Sequence, residues 1–513
     1  MGNTKSSIKV LARSGIGLIS TLLGVLLQFI ASVLLARVLG PEDFGVYVLA
    51  FSISLAVAQL STGGLLHGAP KLMAPSVGEL AAKNAFGAAM TALVCVAISS
   101  STMALLLFIL AGTTASLFEL PELGPVLSVF SLLLFSHAML LMLSNVFRGF
   151  SNVWPNAVFV QTGTRLIRLL GLSLLFYFGF SLTAVSWVVA TSSVAVLLVF
   201  VAYTFVSSDM LQSRQKGWSF CWLPLLAFSL PLGANVLVEV LNLYSSRILL
   251  GFFSSAEEVG YFGATIPLCA LLTMPLNALG FAYLPEASRL IKSKKLSEVE
   301  ILFKNCTRWV SLLSVGLFLA IQLEAELIVG MLFGVEYREV GDILRVLSLG
   351  YFIRSLCGPN AMTLIANGNA KPVLVSNLIG ATVNILFCWF LISNHGAMGA
   401  AFSMALGIVF GAFLNSWMLK KMLQIHPFES ALLKCLLFVF AVFFGVMLID
   451  FFVFYSSPIT GVVNIVVIAI ATLISPVVTR TLTGHELEFL EGAESRFLGG
   501  HSISQYVRRR CSR

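Results

Sequence analysis

The sequence predicts an all-α polytopic membrane protein with about 14 transmembrane helices. They would form two six-helix bundles related by a pseudo-two-fold axis along the membrane normal, plus two extra C-terminal helices. Three observations carry the membrane-spanning class, and the two-bundle arrangement rests on the internal repeat and the resemblance given below. Hydrophobic residues make up 58% of the 513-residue chain and charged residues 11%, against roughly 45–50% and 25% in soluble globular proteins. Mean hydropathy is +0.97. Apolar runs of about 20 residues, the length that crosses a bilayer, recur along the chain. A soluble enzyme, a nucleic-acid-binding protein and a disordered chain are excluded together, because a soluble surface needs far more charge.

The first apolar run, 15–36, follows Lys5, Lys9 and Arg13. It is too long for a signal-peptide core and no clear cleavage site follows, so it reads as a permanent span. Further spans fall near 44–68, 84–111, 125–147, 156–180, 182–206, 222–250, 259–285, 309–333, 343–367, 372–394, 397–419, 431–454 and 458–479. An early stop of the ninth near Gln322 would leave Glu324–Phe333 as an interfacial helix. The chain divides accordingly into an N-terminal segment 1–14, a six-helix bundle 15–206, a linker 207–221, a second bundle 222–419, two extra spans within 431–479 and a tail 480–513.

Net charge is +8, from 31 Lys+Arg against 23 Asp+Glu. With the N-terminus inside and the spans alternating, the inner segments hold Lys71, Lys83, Arg148, Arg214, Lys216, Arg289, Lys292, Lys294, Lys295 and the tail arginines. The outer segments hold Glu42, Asp43, Glu119, Glu122, Glu257, Glu258, Glu336, Glu339 and Asp342. This positive-inside pattern makes both termini cytoplasmic. The basic excess therefore reads as membrane anchoring, with lipid headgroups as partners and no nucleic acid. The eight cysteines form no spaced pair, so neither a disulfide framework nor a metal site is implied. There is no Walker A, GxSxG or HExxH motif, no cofactor is expected, and the outer loops are short. The chain reads as no enzyme.

Two echoes suggest a parallel internal repeat. Glu42-Asp-Phe-Gly-Val-Tyr47 resembles Glu257-Glu-Val-Gly-Tyr261, and Gly149-Phe-Ser-Asn-Val-Trp-Pro155 resembles Gly368-Asn-Ala-Lys-Pro372. Both pairs lie about 215–220 residues apart, which equals six spans. Repeats of this kind place a transport site between halves. Gly63-Gly64 in span two, and Pro267 with Pro275 in span eight, are expected to loosen corresponding helices. Gly399, Ser403, Gly407 and Gly411 form a small-residue ridge suited to close helix packing.

Charges inside the spans are costly, on the order of 3 kcal/mol on insertion scales, and so point to function. Gln161, Arg165 and Arg168 share one face of span five, with Arg165 near mid-depth. Snorkelling to the inner headgroups is the bland alternative. Asn235, Glu239, Asn242 and Ser246 make a polar stripe on span seven, where a structural helix–helix contact is the alternative. Arg354 lies near the middle of span ten, with an ion pair to Glu239 as its alternative. Arg37, at the outer end of span one, is either a cavity residue or an anchor. His137 reads as a hydrogen-bonded packing residue.

Leu34-Leu-Ala-Arg-Val-Leu-Gly-Pro-Glu-Asp-Phe-Gly-Val-Tyr47 resembles the first-loop signature of the polysaccharide and O-antigen (Wzx-type) flippases of the multidrug/oligosaccharidyl-lipid/polysaccharide (MOP) superfamily. Further matching pieces are Ser246–Tyr261, Leu332-Phe-Gly-Val-Glu-Tyr337 and Ile365-Ala-Asn-Gly-Asn-Ala-Lys-Pro372. Many members have 12 spans; a chain of about 14 is similar to the lipid II flippase branch and some exopolysaccharide exporters. The resemblance implies a V of two bundles around an alternating cavity in a bacterial inner membrane. Its cargo would be a polyprenyl-pyrophosphate-linked oligosaccharide, and its partners the polysaccharide polymerase and glycosyltransferases. Arginine suits phosphate oxygens, so Arg165, Arg168, Arg354 and Arg37 are the candidate pyrophosphate ligands, with Glu239, Asn235 and Asn242 as candidates for ion coupling. A multidrug or metabolite antiporter of the same superfamily is the competing function, although in-span Arg outnumber in-span Glu. A glycan polymerase would carry larger outer loops. A passive scramblase would lack gradient dependence.

Overall fold

The structure, a computed structural model, describes residues 2–73, 85–150, 152–207, 220–453 and 458–481. Most of the linker 207–221, nearly all of the tail 480–513, and Lys83, Arg214, Lys216 and Arg508–Arg510 lie outside the described residues.

All regular structure among the described residues is helical. It runs α1 Gly2–Ser61, α2 Leu65–Met73, α3 Ala85–Ile109, α4 Ala111–Leu117, α5 Leu123–Gly149, a π-helix Asn156–Gly163, α6 Thr164–Phe178 and α7 Leu182–Val206. It continues through α8 Trp222–Phe253, α9 Ala256–Lys292, α10 Leu296–Phe333, α11 Val340–Leu356, α12 Asn360–Ala366, α13 Ala370–Leu423, α14 Ser430–Val453 and α15 Pro458–Val478. Eleven of these stretches are long and apolar enough to cross a membrane. Hydrocarbon forces this choice, since a helix satisfies its backbone hydrogen bonds internally. The chain is a multi-pass membrane protein.

Breaks within two of these helices raise the eleven to thirteen, and span ten, in two pieces, makes the fourteenth. Gly40 (φ 74°, ψ 173°) divides α1, and Gly396 (φ 49°, ψ −130°) divides α13, so each supplies two crossings. Positive φ falls on glycine for lack of a Cβ, and Pro41 then restarts the helix at a position where no N–H is needed. Span ten is split into α11 and α12 by Cys357, Gly358 (φ 63°) and Pro359, where the Gly-Pro pair interrupts the apolar run that was read as one span. Glu324 (φ −120°, ψ 30°) interrupts α10 two residues beyond Gln322, where the ninth span was expected to stop.

The paired loosening of spans two and eight is only half present. Gly63 (φ 53°) and Gly64 (φ 82°) do break span two, between α1 and α2. Yet α9 runs unbroken through Pro267 and Pro275. Close to Pro275, the Leu272 carbonyl accepts hydrogen bonds from the Ser314 and Ser355 hydroxyls.

The helices pack into two compact units. The first comprises Met1–Leu268, Leu332–Leu347 and Leu374–Gly411. Its fully buried large side chains include Phe44, Phe130, Phe147, Phe200 and Phe262. The glycine ridge of α13 serves this unit's packing, with Gly407 lying against Gly380 and Asn384. The second comprises Cys269–Met331, Ser348–Val373 and Ala412–Arg513. Tyr283, Phe303, Leu364 and Leu419 centre its core, and the Tyr283 hydroxyl bonds Thr363 at 2.6 Å.

Candidate functional site

Span five opens as a π-helix, Asn156–Gly163, held by Ser144 donating to Asn156 Oδ1 at 2.8 Å. An aromatic cluster packs on it, with Phe159 stacked on Phe200 at 4.5 Å and Trp154 and Tyr203 beside them. A π-helix rotates the face presented by the next turns of helix and recurs at functional sites. Here those turns carry Arg165 and Arg168, at the start of α6.

Arg165 is half-buried. Its Nη1 donates to Gln161 O (2.7 Å) and Gln161 Oε1 (3.0 Å), so Gln161 orients it. The guanidinium lies in a notch left by Gly24 of α1, where a Cβ would collide with Nη1. Arg168 is only 6% exposed. Its Cζ sits 5.4 Å from the centre of the Phe51 ring, a cation–π contact worth up to about 2 kcal/mol when desolvated. Its buried Nε has no hydrogen-bond partner among the described residues. Among the described residues neither arginine forms an ion pair with a carboxylate. His137 of α5 lies within electrostatic range of both, and Tyr47 within range of Arg168. The expected packing hydrogen bond of His137 is not formed among the described residues. A buried charge without a counter-charge costs several kcal/mol, and these two guanidiniums have no carboxylate partner among the described residues.

The polar stripe of α8 splits into two uses. Ser246 and Asn384 are 4% and 3% exposed and hydrogen-bond each other. Asn242 Nδ2 donates to Asn377 O at 3.1 Å. This end of the stripe packs α8 against α13. Toward the other end, Glu239 is exposed and forms no ion pair or hydrogen bond with the described residues. His67 and Tyr244 lie within electrostatic range of it. Asn235 is half-buried and likewise unbonded among them. In the second unit Arg354 is exposed and has no ion-pair partner among the described residues.

Arg37 sits elsewhere, at the acid-rich end. Its Nε donates to Leu332 O at 2.6 Å, and the Tyr337 hydroxyl donates to Ala36 O at 3.1 Å. Burial, with Glu336 alongside, pushes the Tyr337 phenol up, which keeps it a neutral donor. The same end holds a backbone contact between Gly45 and Gly260. Glu258 Oε2 caps the restarted helix after Gly396 by accepting from Ala397 N at 2.6 Å. Sequence reasoning missed Gly24, Tyr47 and Phe51. Phe44, Tyr47 and Phe51 do share one helical face, the one signal that was available.

A family model described as "Polysaccharide biosynthesis protein" matches residues 10–291, more than half of the chain. A second model, MatE, matches residues 231–390. A curated relative from Shigella flexneri, named "Putative O-antigen transporter", is 21% identical over 240 residues. That match covers 45% of this chain and 55% of the relative, so the chain spans about half the length of that relative. Among solved structures, the lipid II flippase MurJ in an inward closed conformation superposes with a TM-score of 0.70 at 13% identity, covering 90% of this chain and 97% of that one. An inward-facing multidrug resistance MATE family transporter of the MOP superfamily gives 0.64 at 16% identity, covering 78% and 94%. These likenesses show that the fold is that of MOP-superfamily transporters.

Proposed function

We propose, from the premise that this chain belongs to the polysaccharide biosynthesis protein family, that it flips a polyprenyl-pyrophosphate-linked oligosaccharide across the bacterial cytoplasmic membrane. The observation that carries this reading is the pair Arg165 and Arg168, clustered on one helical face without a carboxylate partner among the described residues. A pyrophosphate cannot enter hydrocarbon unneutralised. Guanidinium forks match its oxygens and lose little order in doing so. Asn235 supplies an amide, and Arg354 is read as a separate anion-binding cation of the second unit. Arg37 is already engaged at Leu332 and contributes to closing the acid-rich end.

The acid-rich end is the extracytoplasmic one and both termini are cytoplasmic, by the positive-inside distribution. Residues 15–206 and 222–419 form the two moving bundles. Lipid-linked cargo enters from the cytoplasmic side, meets Arg165, and leaves when the Gly45–Gly260 contact separates. Glu239, exposed and unpaired, exchanges a coupling proton with cargo movement. The polymerase and glycosyltransferases act before and after this step.

Replacing Arg165, Arg168 and Arg354 singly by Gln tests the reading. Each variant should reach the membrane in normal amount and lose surface glycan. Normal export by all three would refute the pyrophosphate role. Export of cationic drugs in place of glycan would favour the antiporter function instead.

A further inference from the structure

We propose that Phe51 is a movable lid on Arg168, carried by the same helical segment that closes the Gly45–Gly260 contact. Arg168 is then withheld from the anion until that contact opens. This inference rests on Arg168 being a phosphate ligand, as read above.

Three observations combine. First, the two arginines differ in access. Arg165 is half-buried, whereas Arg168 is 6% exposed beneath Phe51, with Nε unbonded. A guanidinium with no hydrogen bond or ion pair among the described residues, covered by a ring, is a ligand in waiting. Second, the covering segment is stiff between two joints. Residues 41–61 are helical, bounded by Gly40 (φ 74°) at one end and by Gly63 (φ 53°) and Gly64 (φ 82°) just beyond the other. Along it Phe44, Tyr47 and Phe51 stack at 6.2 and 5.7 Å, and Phe130 of α5 meets Tyr47 and Phe51 edge-on. Third, Gly45 lies on this segment, against Ala256 and Gly260. Gly45 and Phe51 are six residues apart, about 9 Å along a helix axis. On opening, segment 41–61 swings on these glycine joints against the rest of bundle 15–206, and because it is stiff the ring at Phe51 moves with Gly45.

The consequence is an ordered handover. Cargo phosphate engages Arg165 first. Opening of the acid-rich end then draws Phe51 off Arg168, which takes the charge one turn further along the span. Phe51 is thus a positioning residue acting through Arg168.

Arginine modification by phenylglyoxal, read by peptide mass spectrometry on the purified full chain, tests this. Arg165 should react at least about tenfold faster than Arg168, the factor expected when the uncovered arrangement is a minor state. Phe51→Ala and Gly45→Leu should each raise Arg168 reactivity about tenfold, the first by removing the lid and the second by holding the contact open. Phe51→Trp should keep Arg168 protected. Equal reactivity of the two arginines in the wild-type chain, or an Arg168 that stays protected in the well-folded Gly45→Leu variant, overturns the lid. Inorganic pyrophosphate should slow modification of Arg165 in the wild type and of Arg168 in Gly45→Leu. If it slows neither while the protection pattern holds, the phosphate reading fails and the lid stands as a conformational contact.

Discussion

Gly45 and Gly260 pack backbone to backbone. A Cβ on Gly45 would collide with the Ala256 carbonyl and lie 2.9 Å from Gly260 N, and one on Gly260 would collide with the Pro41 carbonyl. The two glycines hold the same place in the Glu42–Tyr47 and Glu257–Tyr261 echoes. The repeated motif therefore meets its own counterpart, which supports a near-symmetric closure at the acid-rich end. A leucine at either position should hold that end apart. Gly45→Leu and Gly260→Leu are expected to lower glycan export at least about tenfold at normal membrane levels, as expected if closure is needed once per cycle. Surface-glycan immunoblots with matched membrane fractions check this, and wild-type export would remove the closure role.

Gly24 makes room for Arg165. Gly24→Leu should push the guanidinium from its notch and reproduce the export loss of Arg165→Gln. The double variant should be no worse than either single one, because both act on the same group. Additive losses would separate the two positions.

The stripe on α8 predicts two different phenotypes. Asn384→Leu removes the amide partner of the buried Ser245 and Ser246 hydroxyls, a cost of about 1–3 kcal/mol. The thermal midpoint of the purified protein should fall, while transport per folded molecule stays near wild type. Glu239→Gln should do the reverse, leaving stability unchanged and abolishing the pH dependence of transport in proteoliposomes. A pH profile identical to wild type would deny Glu239 a coupling role.

Much of this was legible in the sequence, and the boundary is physical. Apolar runs fix the spans because hydrocarbon tolerates nothing else. The interruption at Glu324 was readable because Glu324 and Glu326 stand in an apolar run. Arg165, Arg168 and Glu239 were readable as costly charges at depth. What was not legible depends on backbone register or distant contact. The π-helix before Arg165 has ordinary composition. Phe51 covers Arg168 from another span, and nothing local to either residue announces it. Arg37 and Arg165 look alike as sequence, yet one bonds the Leu332 carbonyl of a distant helix at the acid-rich end and the other bonds Gln161 of its own helix, one turn from Arg168.

The most direct test of the central claim is mass spectrometry of the polyprenyl lipids in a strain lacking this protein. A polyprenyl-pyrophosphate oligosaccharide should accumulate there, clear when the wild-type chain is restored, and persist when the restored chain carries Arg165→Gln. No accumulation, or clearance by the Arg165→Gln chain as complete as by wild type, would contradict the account.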